Sequence, residues 1–149
     1  MKRPFTRLGY KKLTEELADL EKKRIEAVSN LKTAREMGDL SENAAYKVAR
    51  SKLSSLDSRL RFLKKTLENA YVYEEKFDGR VAVGCFVTLN NEKGEVVYQI
   101  VNDIEADVMK GKISYYSPVG KALIGKGVND QITVKTPKGE INYRILKVE

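Results

Sequence analysis

Arg35-Glu36-Met37-Gly38-Asp39-Leu40-Ser41-Glu42-Asn43 separates two stretches of helical periodicity. Upstream, Leu13, Leu17, Leu20, Arg24, Ala27, Leu31 and Ala34 recur at alternating spacings of four and three. Downstream, Ala49, Leu53, Leu56, Leu60, Leu63, Leu67 and Ala70 do nearly the same. Each series is a heptad-like seam, with one Arg in the first. Gly38 can end the first helix by taking a positive φ, and Asp39 or Ser41 can cap the second. Thr6 is placed to cap the first. So short a connection makes the helices antiparallel neighbours. At about 28 residues each and ~1.5 Å per residue, the predicted hairpin is roughly 40 Å long.

Beyond the hairpin the period changes to two and β-branched residues take over. Residues 80–90 and 95–102 read as strands around the turn Asn91-Glu92-Lys93-Gly94. Residues 112–116 form a short strand, and 132–136 with 140–148 flank Pro137-Lys138-Gly139 as a hairpin. Between them, Ser117 as cap, Pro118 at the first helical position and Gly125 past the end mark one short helix. The predicted class is α+β. Residues 1–76 make an antiparallel coiled-coil hairpin with its tip at 37–46, and 77–149 make an antiparallel sheet carrying one helix. The linker lies near 74–79.

Composition narrows the chemistry. The 149 residues include no His, which removes the commonest general base and every His-containing zinc site. The single Cys excludes an internal disulfide, and Cys85 sits in the apolar run 81–87 as a small buried residue. No apolar run approaches the ~20 residues needed to span a membrane, and the expected location is cytoplasmic. Of the net charge of +7, residues 1–76 carry +6, from 18 Lys and Arg against 12 Asp and Glu. Any attraction to nucleic acid therefore belongs to the first half.

Asp39 and Glu42 stand three apart at the bend, a spacing that shares one side of a helical turn. With ordinary pKa values near ~4 both are ionised at neutral pH. They are then poor general acids but suitable ligands for a hard cation such as Mg²⁺. Helix caps fit the same residues. Two carboxylates cannot complete an octahedral shell, so if they do chemistry, another molecule supplies the rest of the site.

From Lys47 to Lys65 there are seven basic residues, Lys47, Arg50, Lys52, Arg59, Arg61, Lys64 and Lys65, against one acid, Asp57. Lys47, Arg50, Arg61 and Lys65 share a face off the Leu seam. It is either a solvated helix surface or a track for a phosphate backbone. Tyr115 and Tyr116, as strand neighbours, are expected to point one ring inward and one outward.

Residues 34–46, Ala-Arg-Glu-Met-Gly-Asp-Leu-Ser-Glu-Asn-Ala-Ala-Tyr, resemble the tip motif of the bacterial Gre transcript cleavage factors. Residues 113–126 resemble that family's second signature, and Thr136-Pro137-Lys138-Gly139-Glu140 its closing hairpin. The resemblance implies a coiled coil that enters the secondary channel of bacterial RNA polymerase. It implies that Asp39 and Glu42 are the catalytic carboxylates, sharing a Mg²⁺ completed by the polymerase. The polymerase then cuts backtracked nascent RNA and releases its 3′ end. By the same carry-over Asn43, Ser41 and Tyr46 support the tip. Arg50, with Lys47 and Arg61, faces the extruded RNA, and Ser117 and Pro118 belong to an FKBP-like domain that docks on the polymerase. The resemblance further implies an activator of the polymerase's own cleavage, monomeric when free. A channel-binding regulator without cleavage activity is the alternative. A coiled-coil adaptor or RNA-binding arm is what the residues suggest without the resemblance.

Overall fold

Thr6 starts the first long helix: its Oγ1 accepts from Gly9 N at 3.0 Å, and α1 runs Arg7–Arg35 over 29 residues. The computed structural model describes residues 2–38, 43–73 and 78–149. After α1 the chain turns to Gly38, whose φ of 130° lies in the region that favours glycine. The second helix, α2, spans Ala44–Glu68, 25 residues. Burial follows the predicted seam. Leu13, Ala34, Leu60 and Leu63 are buried, and Leu17, Leu20, Ala27, Leu31, Ala49, Leu53, Leu56 and Leu67 are partly buried.

Ion pairs tie the two helices along their rims. Arg59 grips the Glu16 carboxylate at 2.7 and 3.0 Å, Arg24 Nε meets Asp57 at 2.6 Å, and Lys64 approaches Glu21 at 3.9 Å. The Arg24–Asp57 pair resolves the oddity in the first seam. Arg24 occupies a heptad position yet stays exposed, and it takes the one acid of the basic stretch on α2.

The chain divides into two compact units, Tyr10–Ala70 and Met1–Gly9 with Tyr71–Glu149. A boundary drawn only at residue 76 leaves the first residues with the hairpin. They belong instead to the sheet unit, because β1 (Arg3–Phe5) pairs with β2 (Ala70–Val72). Phe5 is fully buried, and its carbonyl accepts from Tyr73 N at 3.1 Å. Asn102, buried and polar, donates from Nδ2 to Pro4 O at 2.8 Å and accepts from Ile104 N at 3.0 Å, so both ends of its amide are satisfied.

The main sheet contains β3 (Phe86–Asn91), β4 (Gly94–Val101), β5 (Lys112–Ser114), β6 (Gln131–Thr136) and β7 (Gly139–Val148), in the order β5-β4-β3-β7-β6. The β3–β4 hairpin closes with Asn91 opposite Gly94, and the β6–β7 hairpin with Thr136 opposite Gly139. The sheet is not wholly antiparallel. β5 runs parallel to β4, with Ile100 opposite Ile113, because the 102–111 connection and its 3₁₀ turn at Val108–Lys110 carry the chain back before β5 begins. Residues 80–85, predicted as strand, make only an isolated bridge from Arg80 to Gly127. Gly84 there has a φ of 95°, which breaks the extended backbone. Val81 and Cys85 still enter the core, with Val87, Leu89, Ile100, Leu123, Ile132, Val134, Tyr143, Ile145 and Val148. The short helix α3 (Pro118–Leu123) packs close to the end of β5: a Cβ at Gly120 would lie 2.1 Å from Ser114 O, so only glycine permits the approach.

Candidate functional site at the hairpin tip

Asp39, Ser41 and Glu42 lie outside the described residues, as does Leu40. α2 is capped by Asn43, whose side chain accepts from Tyr46 N at 3.1 Å. The expected cap at Asp39 or Ser41 is thereby corrected to Asn43. Asn43 holds the position because its short amide reaches the N–H of the third helical residue, Tyr46, from an extended backbone. Its Nδ2 donates to Ala34 O at 2.5 Å, in the last turn of α1. Beside it, the Arg35 guanidinium lies 5.9 Å from the centre of the Tyr46 ring, a cation–π contact between the same two helix ends. Arg35 was not singled out in the sequence. Its place in the quoted bend, across from Tyr46 once Gly38 turns the chain, was the available signal.

Two carboxylates from the tip are hard oxygen donors of the kind Mg²⁺ takes. Two such groups alone could fill only part of the six-oxygen shell that Mg²⁺ takes.

The seven basic residues on α2 separate into two groups. All seven are exposed; Arg59 and Lys64 pair with acids of α1, while among the described residues Lys47, Arg50, Lys52, Arg61 and Lys65 do not. Arg61 Nη2 donates to Ser58 Oγ at 3.3 Å. Among the described residues Lys47 and Arg50 form no ion pair. Because α2 is one unbroken helix, Lys47, Arg50 and Arg61 project within a narrow sector of its surface, with Arg61 about 16 Å along the axis from Arg50. They make a stripe leading away from the tip. Asp57 does not offset this stripe freely. The Arg24 guanidinium hydrogen-bonded to it holds its carboxyl below the usual range, and the charges of Arg61 and Lys64 act the same way.

In the sheet unit, Ser117 and Pro118 play different parts. The Ser117 hydroxyl accepts from Gly120 N at 3.0 Å and donates to Ser114 O at 2.7 Å, so it is fully engaged within the turn. Pro118 is exposed. Tyr115 packs against the core and Tyr116 is exposed, as expected, but strand alternation is not the cause, because β5 ends at Ser114 and both residues fall in the turn that follows. Their rings lie 4.5 Å apart at 35°, and Lys121 Nζ stands 5.7 Å from the Tyr116 ring centre. Burial, reinforced by the neighbouring Tyr116 hydroxyl, leaves the Tyr115 phenol pushed up to about 12.

Comparison with known proteins adds a sequence-wide context. A family model described as "Transcription elongation factor, N-terminal" matches residues 3–72, and one described as "Transcription elongation factor, GreA/GreB, C-term" matches residues 76–149. The chain is 42% identical to "Transcription elongation factor GreA" of Staphylococcus epidermidis, across 98% of this chain and 96% of that protein. It is 44% identical to the protein of the same name from Neorickettsia sennetsu, across 99% and 96%. Among solved structures it is similar to GreA factor homolog 1 of Thermus thermophilus, at 27% identity and a TM-score of 0.48, covering 100% of this chain and 99% of that one.

Proposed function

The chain belongs to the GreA/GreB family of transcription elongation factors, and from that premise we propose that its hairpin enters the secondary channel of bacterial RNA polymerase. There it stimulates the polymerase to cleave its own backtracked transcript and release a 3′ fragment. The observation that carries the reading is the placement of the tip motif. Asp39 and Glu42 fall in the segment between helices of 29 and 25 residues, so a partner meets them about 40 Å along the hairpin.

A Mg²⁺ held jointly by tip and polymerase supplies Lewis-acid stabilisation of the oxygens exchanged at the cut phosphate. Asp39 and Glu42 contribute carboxylate oxygens to that site, in trans. Ser41, Asn43 and Tyr46 support the segment that presents them. Lys47, Arg50 and Arg61 attract the phosphates of the extruded RNA, a role suited to exposed charge without aromatic stacking. With the Ser117 hydroxyl occupied inside its turn, Pro118 is the member of that pair available for docking the sheet unit on the polymerase. The chain is thus an activator of an enzyme, working beside the polymerase in the cytoplasm as a monomer.

The test uses purified polymerase stalled in a backtracked state. Adding the chain with Mg²⁺ should shorten the transcript from its 3′ end faster than polymerase does alone, and the chain without polymerase should leave free RNA intact. Equal cleavage with and without the chain overturns the reading. Tight binding with no cleavage would favour the regulator instead.

A further inference from the structure

The side chain of Asn43 makes two hydrogen bonds that face opposite ways. Its Oδ1 accepts from Tyr46 N at the start of α2, and its Nδ2 donates to Ala34 O at the end of α1. Tyr46 N is among the first N–H groups of α2, which have no intrahelical partner, and Ala34 O, in the last turn of α1, accepts from Met37 N at 3.2 Å as well as from Asn43. One amide therefore serves both helices and fixes their separation at the base of the tip. Serine, threonine and aspartate cap as well as asparagine does, but none carries both an acceptor for the cap and an N–H donor for the facing carbonyl. The residues between the two tied points include Asp39 and Glu42.

We propose that Asn43 is a positioning residue for the cleavage reaction, a cross-brace that holds the two ends of the tip segment at a fixed span so that its carboxylates arrive pre-aligned. The inference rests on the cleavage reading above. A brace of this kind acts on the reaction through alignment. Misplacement by about 1 Å costs up to 10²-fold in rate where reacting groups must be held in register. The Arg35–Tyr46 contact joins the same helix ends but is a looser restraint, with a charge 5.9 Å from a ring and no fixed direction.

Two variants separate the brace from the cap. Asn43→Ser keeps an acceptor for Tyr46 N and loses the arm to Ala34 O, whereas Asn43→Ala loses both. Spin labels on Lys32→Cys and Val48→Cys, both exposed positions, report the separation of the helix ends in the free full-length protein, with the buried Cys85 left in place. The expected result is a narrow distance distribution for the wild type and a broadened one for Asn43→Ser, whose melting temperature stays close to wild type. In the cleavage assay Asn43→Ser should bind polymerase with an unchanged half-saturating concentration. Its maximal rate at saturating factor should fall by about 10- to 100-fold, with more Mg²⁺ needed for half the maximal rate. Asn43→Ala should add a loss of thermal stability. An unchanged distance distribution in Asn43→Ser, or a maximal rate within threefold of wild type, overturns the brace while wild-type cleavage stands. A wild-type protein that stimulates no cleavage overturns the function itself, and the positioning role with it.

Discussion

In the sheet unit eleven buried side chains, from Val81 to Val148, form one connected core. Along α1 and α2, by contrast, the buried hydrophobic side chains are Leu13, Ala34, Leu60 and Leu63, and the rims are tied by exposed ion pairs. Exposed pairs contribute little, commonly ~0–1 kcal/mol each. The sheet unit is therefore intolerant of truncation in its interior, while the hairpin spreads modest contributions along its length. A change at the tip should therefore spare the fold, and a change in the sheet core should not.

The largest effect expected from that contrast is in the core. Leu89→Ala, at a fully buried position, should lower unfolding stability by about 2–5 kcal/mol in denaturant titration. A loss below ~1 kcal/mol would mean that the core is less tightly filled than its burial indicates. Next comes Asp39→Asn, expected to reduce stimulated cleavage by at least ~10²-fold while leaving the melting temperature and polymerase binding unchanged. Activity within threefold of wild type would remove Asp39 from the chemistry. Arg50→Glu should act more weakly and by another route. Cleavage should fall at limiting factor, recover in part at saturation, and lose its sensitivity as salt rises, since exposed charges are screened over about 8–10 Å. Wild-type behaviour at every salt and factor concentration would reduce the basic stripe to a solvated surface.

The smallest effect concerns the Arg24–Asp57 pair. The Asp57 carboxyl titrates below its ordinary range when folded, because Arg24 is hydrogen-bonded to it. Its contribution to hairpin stability is therefore present above the unfolded carboxylate pKa of about 4 and fades as pH falls through the lowered folded value. Arg24→Leu, which restores an aliphatic heptad residue, should fold well at neutral pH and melt with less acid dependence than wild type. An identical acid dependence, followed by circular dichroism between neutral pH and pH ~3, would show that the pair adds nothing.

The hairpin was legible because a heptad repeats its instruction many times, and a seam of Leu and Ala survives one Arg. Ser117, Pro118 and Gly125 located α3 for a similar reason: caps act within one turn, and Ser117 and Pro118 do as their types require. The errors fall where a local signal competes with a distant one. Asp39, Ser41 and Asn43 are all capping residue types, so the pattern alone left the choice open; Asn43 makes the cap bond and also reaches Ala34 O across the hairpin, which no local pattern encodes. The parallel pairing of β5 with β4 depends on the path of residues 102–111, and alternation is blind to strand direction. β1 and β2 are three residues each, too short to show a period, and they form through each other. At the candidate site, Asp39 and Glu42 lie outside the described residues, while the two hydrogen bonds of Asn43 and the Arg35–Tyr46 contact needed coordinates.

The pairing of β1 with β2 also fixes what can vary. Arg3–Phe5 precede α1 and Ala70–Val72 follow α2, so the whole helical excursion leaves from and returns to one clasp. Removing seven residues from α1 and the facing seven from α2 keeps every heptad position in phase and shortens the excursion by about 10 Å, with the β1–β2 clasp unchanged. Adding seven to each lengthens it by the same step. The hairpin is in that sense a graduated probe, whose depth of reach is set by a count of repeats, independently of the anchor that holds it and of the tip that it delivers.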